Sequence, residues 1–219
     1  MTLRQTCTLA SVLLVLSLPG FAALTVQYNQ AWDQGGIYYS QNDPNSLGLY
    51  AQVFDNFTLT NSASITTVGW YGGYYNPAIQ GTLQAVTIGF YADNNGQPGA
   101  QLFSQVTLGT AHEALVCLCN GVLDYSYWLT LNAPFGVAAG TQYWLSIVGT
   151  VPLPPQWGWG TSHAADDSAY DNFEGTLIPI PSDLAFTLYS GASAPEPSSL
   201  ILLASAAITS ITSIRKRTR

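Results

Sequence analysis

The sequence predicts an all-β fold, an antiparallel two-sheet sandwich of the jelly-roll type, and three observations support this prediction. Apolar residues in the middle of the chain alternate with polar ones at a period of two, which is typical of strands with one buried face. No segment before residue 198 has the 3.6-residue period of an amphipathic helix. Clusters such as Asp93-Asn94-Asn95-Gly96 and the run 136–140 supply turn residues between the alternating segments.

Two segments show the alternation most clearly. In the first, Val86, Ile88 and Phe90 share one face of a strand. In the second, Leu123, Tyr125, Tyr127, Leu129 and Leu131 lie opposite Asp124, Ser126, Trp128 and Thr130. The other candidate strands, in chain order, are 24–28, 52–60, 65–70, 101–108, 114–119, 143–148 and 184–189. About nine or ten strands at this spacing in one domain favour a sandwich.

The distribution of charge excludes several classes of function. Charged residues are 8% of the chain, against about 25% in an average soluble domain. The basic residues are Arg4, Arg215, Lys216, Arg217 and Arg219, so residues 5–214 contain no Lys or Arg, whereas eleven carboxylates lie between Leu24 and Ala194. Without ammonium or guanidinium groups the central region cannot neutralise phosphates or form a Schiff base, so we expect no nucleic-acid partner.

Residues 1–22 have the organisation of a signal peptide. Arg4 provides the charged start, residues 8–18 form an apolar stretch, and 19–23 end it with a helix breaker and small residues. We predict a signal helix that signal peptidase removes after Ala22. An uncleaved N-terminal anchor is the alternative.

The C-terminal end combines three ordered features. Pro195-Glu196-Pro197 is followed by the uncharged run 198–214 and then by Arg215, Lys216, Arg217 and Arg219. At 1.5 Å per residue a helix of this length approaches the minimum for a bilayer span, and the basic cluster marks its cytoplasmic side. This order resembles the PEP-CTERM sorting signal of exopolysaccharide-producing Gram-negative bacteria. The resemblance implies that the partner is an exosortase, a membrane transpeptidase that processes the chain near Pro-Glu-Pro. A plain tail anchor is the alternative.

These features predict five segments. They are a signal peptide at 1–22, a β-sandwich ectodomain at 23–190, a linker with the Pro-Glu-Pro motif at 191–197, a transmembrane helix at 198–214 and a cytoplasmic basic tail at 215–219. We therefore expect the protein to be exported and anchored in the inner membrane with a periplasmic domain. After processing of the tail we expect it at the cell surface or in the extracellular matrix.

The central region carries a second resemblance. The segments 88–99, 140–147 and 183–188 look like the sandwich ectodomain that recurs in PEP-CTERM proteins. The resemblance implies architecture and location, since most of these ectodomains have no assigned biochemistry.

Two cysteines remain once the signal peptide, with Cys7, is removed. Cys117 and Cys119 flank Leu118, and residues at i and i+2 of a strand face the same way with Cα atoms near the upper limit for a disulfide. A disulfide, two free thiols, and a metal or redox role involving His112 remain open.

Aromatic residues beside glycines and prolines form the first candidate site. The residues are Trp70, Tyr71, Tyr74 and Tyr75 in one segment and Trp157 and Trp159 in another. Rings exposed in glycine-rich loops can stack on the apolar faces of sugars, so we predict glycan contact there. Ordinary packing in the sandwich is the alternative.

An acidic segment forms the second candidate site. Asp166, Asp167, Asp171 and Glu174 could supply oxygen ligands to calcium, and a weaker candidate lies at 93–96. Neither segment has EF-hand spacing, and turn capping or a solvated loop is the alternative. No other cofactor is predicted.

The sequence gives little support for catalysis. His163 adjoins Ser162 and lies near Asp166 and Asp167, but adjacency does not make a catalytic triad. No G-x-S-x-G or H-E-x-x-H motif occurs. We therefore predict a non-enzymatic surface or biofilm-matrix protein that binds exopolysaccharide through aromatic loops. A secreted glycoside hydrolase or lyase with a carboxylate pair, and a structural coat subunit, are the alternatives.

Overall fold

A computed structural model of the chain describes residues 23–109 and 112–191, which form fifteen strands and no helix. The first strands are β1 (Leu24–Gln30), β2 (Trp32–Tyr39), β3 (Gln41–Asn42), β4 (Ala51–Thr58), β5 (Ala63–Tyr75), β6 (Ala85–Asp93), β7 (Pro98–Leu108) and β8 (Ala114–Cys119). The others are β9 (Val122–Val137), β10 (Gln142–Thr150), β11 (Gln156–Ser162), β12 (Ala169–Phe173), β13 (Thr176–Ile180), β14 (Asp183–Leu184) and β15 (Phe186–Gly191).

Both predicted helices and the sorting signal lie outside the described residues. These are the signal peptide at 1–22, Pro195, Glu196 and Pro197, the span at 198–214, and Arg215, Lys216 and Arg217. Within 23–109 and 112–191 there is no helix with the length and apolar character needed to span a membrane.

Eight strands form sheet A, in which β5 is central. β9 pairs along one edge of β5, and β8 pairs with the far side of β9. Along the other edge of β5, β15 pairs with residues 67–70 and β11 with residues 72–75. β1 then pairs with β15, and β2 and β14 pair with β11.

Seven strands form sheet B, in the order β13-β12-β4-β10-β6-β7 with β3 beside β10. All strand pairs in both sheets are antiparallel except the two-residue pairing of β10 with β3. The fold is therefore all-β with two antiparallel sheets in a sandwich arrangement, as predicted.

The core lies between the inner faces of the two sheets. Phe57 of sheet B meets Phe186 of sheet A edge to face at 6.1 Å, and Phe90 stacks on Phe135 at 4.3 Å. The predicted inward faces are confirmed, since Val86, Ile88 and Phe90 on β6 and Tyr125, Tyr127, Leu129 and Leu131 on β9 are all buried. Such aromatic pairs stabilise by about 0.5–1.5 kcal/mol beyond the burial of their area.

The strands that the sequence did not predict are β2, β3, β11, β12 and β13, and β5 continues beyond Trp70 to Tyr75. Glycine is the reason that β11 and the end of β5 were not predicted, because glycine in a sequence usually indicates a loop. Here it permits neighbouring strands to pack closely. A Cβ on Gly72 would lie 2.6 Å from the carbonyl oxygen of Gly158, and a Cβ on Gly158 would collide with the backbone of Tyr38. The glycines therefore allow β2, β11 and β5 to approach one another.

Candidate functional site

Four of the six predicted glycan-contacting aromatics are core residues. Trp70, Tyr74, Trp157 and Trp159 are all buried. Trp157 donates its indole N–H to the Tyr127 hydroxyl at 3.1 Å, and Trp159 donates to the carbonyl of Ala185 at 2.9 Å. The prediction that these rings stack on sugars is wrong, because they lie on the inner faces of strands rather than in loops.

The other two predicted aromatics, Tyr71 and Tyr75, are partly exposed on β5. Tyr71 stacks face to face on Trp32, with ring centroids 4.8 Å apart and planes within 7°. Trp32 lies at the start of β2, a strand that the sequence analysis did not predict. The pair forms one wall of a groove.

This groove, called here the sheet A groove, crosses the outer face of sheet A and has a volume of about 720 Å³. Neighbouring strands β15, β5 and β9 form the floor of the groove. Their register sets Thr187 of β15 opposite Gly69 of β5, and Gly69 opposite Trp128 of β9. The lining consists of Leu24, Asn29, Gln30, Ala31, Trp32, Thr67, Gly69, Trp70, Tyr71, Ser126, Tyr127, Trp128, Phe186, Thr187 and Tyr189.

Aromatic rings stand along the sheet A groove. Trp128 is 46% exposed and stacks on His112 at 3.6 Å with planes within 4°. A Cβ on Gly69 would lie 3.3 Å from the ring of Tyr189, so glycine leaves room for that ring over the floor. The groove thus presents the rings of Trp32 and Tyr71, of Trp128 and of Tyr189.

The polar part of the lining carries no formal charge. Among the described residues, those that line the groove include no Asp, Glu, His, Lys or Arg. Hydroxyl and amide side chains are present instead, from Asn29, Thr67, Ser126 and Thr187. Flat rings combined with neutral donors and acceptors match an uncharged, polyhydroxylated ligand.

The four predicted calcium ligands do not converge. Asp166 accepts a hydrogen bond from the Asn56 amide at 3.2 Å, and Glu174 accepts one from the backbone N–H of Tyr50 at 2.6 Å. Asp167 is exposed, and Asp171 lies on β12 opposite Val53. In the part of the chain that the structure describes, only one group of three His, Cys, Asp or Glu side chains has its potential ligand atoms within 4.8 Å of one another. It consists of Cys117, Cys119 and Asp124.

Asp93, in the weaker calcium candidate, has two other partners. It caps its turn by accepting the N–H of Gly96, and it also accepts the indole N–H of Trp144.

Ser162 and His163 have separate partners. The Ser162 hydroxyl donates to the carbonyl of Ala31 at 2.6 Å. His163 is 77% exposed, and its Nε2 lies 3.1 Å from Asp33 Oδ2. The pair therefore lacks the geometry in which a histidine activates a neighbouring serine.

A buried carboxylate network was missed by the sequence analysis. Asp55 on β4 accepts hydrogen bonds from the backbone N–H groups of Leu184 at 2.6 Å and Asn56 at 2.8 Å. Asp183 accepts the N–H of Ala165 at 2.7 Å. With the Gln30 amide turned so that its nitrogen faces the neighbouring acceptors, Gln30 donates to Asp55 Oδ2 at 2.8 Å and completes the network. Burial raises the pKa of Asp55, and the negative charge of Asp183 raises it further. The network joins β4, β14 and the 163–168 loop, so its role is structural. No spacing in the sequence could have paired residues that are more than a hundred positions apart.

Cys117 and Cys119 form a disulfide, which is one of the outcomes left open by the sequence. Their Cα atoms are 5.5 Å apart, and Sγ of Cys117 lies 4.0 Å from Oδ2 of the buried Asp124. The sulfurs are joined to each other and do not offer a metal the thiolates that it needs. By loop entropy, a bridge that closes three residues stabilises by about 1.6 kcal/mol, against about 3 kcal/mol for a loop of 15 residues.

Comparison with known proteins gives no family assignment. No protein-family model matches the chain, and no curated protein resembles it significantly.

Proposed function

We propose that the chain is an exported, non-enzymatic surface or biofilm-matrix protein whose sheet A groove binds a neutral polysaccharide. One observation carries the binding part of this proposal. It is the groove of about 720 Å³ that combines three aromatic walls with a lining free of formal charge in the described residues.

The chemistry of the groove supports a sugar ligand. Pyranose rings present flat apolar C–H faces, which pack against aromatic rings, and a rim of hydroxyls, which hydrogen-bond to amide and hydroxyl side chains. Trp32 with Tyr71 and Trp128 with His112 are held by stacking, so their rings lose little freedom on binding. The volume lies within the usual range of about 300–1,000 Å³ for ligand sites.

Charge argues for a neutral glycan. The central region has eleven carboxylates and no Lys or Arg, so its field repels uronic acids and sulfated sugars. An anionic polysaccharide would need a bridging divalent cation such as calcium. The binding experiment therefore includes arms with and without chelator.

The binding test is retention of the full chain on the producer's own exopolysaccharide and on neutral glucans. Tyr71→Ala and Trp128→Ala should each weaken retention at least tenfold, because each removes a groove wall. Phe173→Ala is the matched control, since Phe173 is similarly exposed on sheet B and away from the groove. If all three variants are retained as strongly as the wild-type chain, the groove is not the binding site. Release of sugar products would support the hydrolase or lyase, and self-association without retention would support the coat subunit.

We also propose that the domain belongs to the jelly-roll class, flanked by the signal helix and the transmembrane helix. The chain passes between the sheets repeatedly, with β4 in sheet B, β5 in sheet A, β6 in sheet B and β9 in sheet A. This alternation supports the jelly-roll assignment.

The termini support the proposal for export. Signal peptidase would remove 1–22, and the inner membrane would hold 198–214 until an exosortase acts near Pro195-Glu196-Pro197. The domain would then move from the periplasmic face of the membrane to the cell surface or matrix.

Mass spectrometry of the mature protein tests this route. In cells with an exosortase the mature chain should lack both residues 1–22 and the basic end, and it should leave the membrane fraction. Deletion of the exosortase, or replacement of Glu196 by Gln and Pro197 by Ala, should leave the C-terminal end intact. Tail loss that is unaffected by either change would contradict the sorting proposal.

A further inference from the structure

The disulfide between Cys117 and Cys119 lies at an open edge of sheet A. Within the described residues β8 pairs only with β9, so its other edge is unpaired. Both cysteines are partly exposed, and Leu118 between them is 67% exposed. Another thiolate can therefore reach the sulfur atoms.

The bridge is poorly placed to hold the fold together. It joins two residues of one strand, and that strand is already paired, since Cys117 lies opposite Asp124 and Cys119 opposite Val122. It links no second element, and the loop that it closes is among the shortest a disulfide can close. Structural stapling does not account for it.

An acid lies beside one of the two sulfurs. Asp124 is 3% exposed, and its Oδ2 is 4.0 Å from Sγ of Cys117. The strands on either side place Gly73 of β5 and Cys117 of β8 next to it, and neither carries a charge. Burial raises the pKa of Asp124 from 3.8 to about 7. Its carboxyl group consequently holds a proton that it can give to a departing sulfur near neutral pH.

We propose that Cys117, Cys119 and Asp124 form a redox-active site at which each chain oxidises one peptide dithiol in a stoichiometric reaction. The peptide's first thiolate attacks Sγ of Cys119, forming a mixed disulfide and breaking the bond to Cys117. The departing Cys117 thiolate takes the proton from Asp124. The peptide's second thiolate then attacks the peptide sulfur of the mixed disulfide and releases Cys119 as a thiolate. The peptide loses two electrons and gains an internal disulfide, and the protein gains them as two reduced cysteines.

The surroundings define the class of substrate. Three exposed side chains beside the disulfide are apolar, namely Leu115, Val116 and Leu118, and the exposed Asn120 next to Cys119 is polar but uncharged. The domain carries carboxylates and no Lys or Arg, so an anionic thiol such as glutathione is repelled. The site fits an extended, uncharged peptide segment with two cysteines, which can also align along the open edge of β8.

The test follows oxidation of an uncharged synthetic peptide with two cysteines by the oxidised full chain. Hydroxyethyl disulfide at the same concentration gives the reference rate. We expect the protein to react at least tenfold faster, to discriminate against glutathione, and to yield on acid quench a mixed disulfide located at Cys119. A rate equal to that of hydroxyethyl disulfide, or a mixed disulfide located at Cys117 instead, would overturn the proposal.

Variants separate the acid from the disulfide. Asp124→Asn should slow the reaction about 100-fold at pH 6, the lower range for loss of a general acid. Its rate should then rise steadily with the peptide's thiolate fraction, whereas the wild-type rate should level off as pH passes the pKa of Asp124. Asp167→Asn, which changes an exposed carboxylate, should react like the wild type. An Asp124→Asn variant that retains the wild-type rate and pH profile would refute the role of the acid, whether or not its stability changes.

Discussion

Replacing Trp157 by alanine should lower the free energy of unfolding by about 3–5 kcal/mol, the usual range for removing a buried tryptophan. Trp157 is fully buried, packs edge to face on Tyr127 at 6.0 Å and donates its indole N–H to the Tyr127 hydroxyl. The substitution leaves a large cavity and leaves a buried hydroxyl without its donor. Urea denaturation followed by circular dichroism measures the change.

Trp128→Ala is the matched control for this prediction. Trp128 is on the outer face of β9 and is 46% exposed, so we expect a loss below about 1 kcal/mol, as is usual for surface substitutions. The two variants should therefore differ in the property that they lose. Trp157→Ala should lose stability, and Trp128→Ala should lose polysaccharide retention. A Trp157→Ala variant with wild-type stability and no retention would contradict the buried position and restore the glycan contact predicted for this residue.

The strand pattern was predictable because alternation is local. On β6 and β9, residues two positions apart lie on the same face and are similar in polarity, so the inward face can be read from the sequence. The structure confirms the predicted inward face of each strand. The segment Trp157-Gly158-Trp159-Gly160 has the same period of two, with both tryptophans inward. It was nevertheless predicted to be a loop, because glycine usually breaks strands. The need for glycine arises only where β2 and β5 approach β11, and no local pattern shows that approach.

The sheet A groove could not be predicted for a similar reason. Its aromatic walls come from β2, β5, β9 and β15, which are joined by strand register rather than by nearness in sequence. Tyr71 was predicted as a site residue because aromatic residues and glycines adjoin it in the sequence. Its stacking partner Trp32 lies 39 positions earlier in the chain. Sequence composition does restrict the kind of ligand, because a region with eleven carboxylates and no Lys or Arg repels anionic partners wherever the site lies.

Stability should fall as pH rises from 5 to 8, and Asp124 should cause much of the fall. Its carboxyl has a pKa of about 7 in the folded chain because of burial, against 3.8 when it is exposed. Between these values the folded state binds more protons than the unfolded state, so stability decreases as pH increases and levels off above about 7. Burial also raises the pKa values of Asp55 and Asp171, which act in the same direction. The unfolding temperature of the full chain should therefore be higher at pH 5 than at pH 8.

The difference in unfolding temperature between pH 5 and pH 8 should depend on the residue at position 124. A change of about 1 kcal/mol shifts the unfolding temperature by about 2–4 °C for a protein of this size, and we expect at least that shift. Asp124→Asn should reduce it, because the amide does not titrate, even if the variant is less stable at both pH values. Asp167→Asn, at an exposed position with φ of 53° that asparagine adopts readily, should keep the wild-type difference. A wild-type protein that unfolds at a higher temperature at pH 8 would contradict the predicted pH dependence. An Asp124→Asn variant with an undiminished difference would show that Asp124 is ionised in the folded chain and cannot supply the proton required at Cys117.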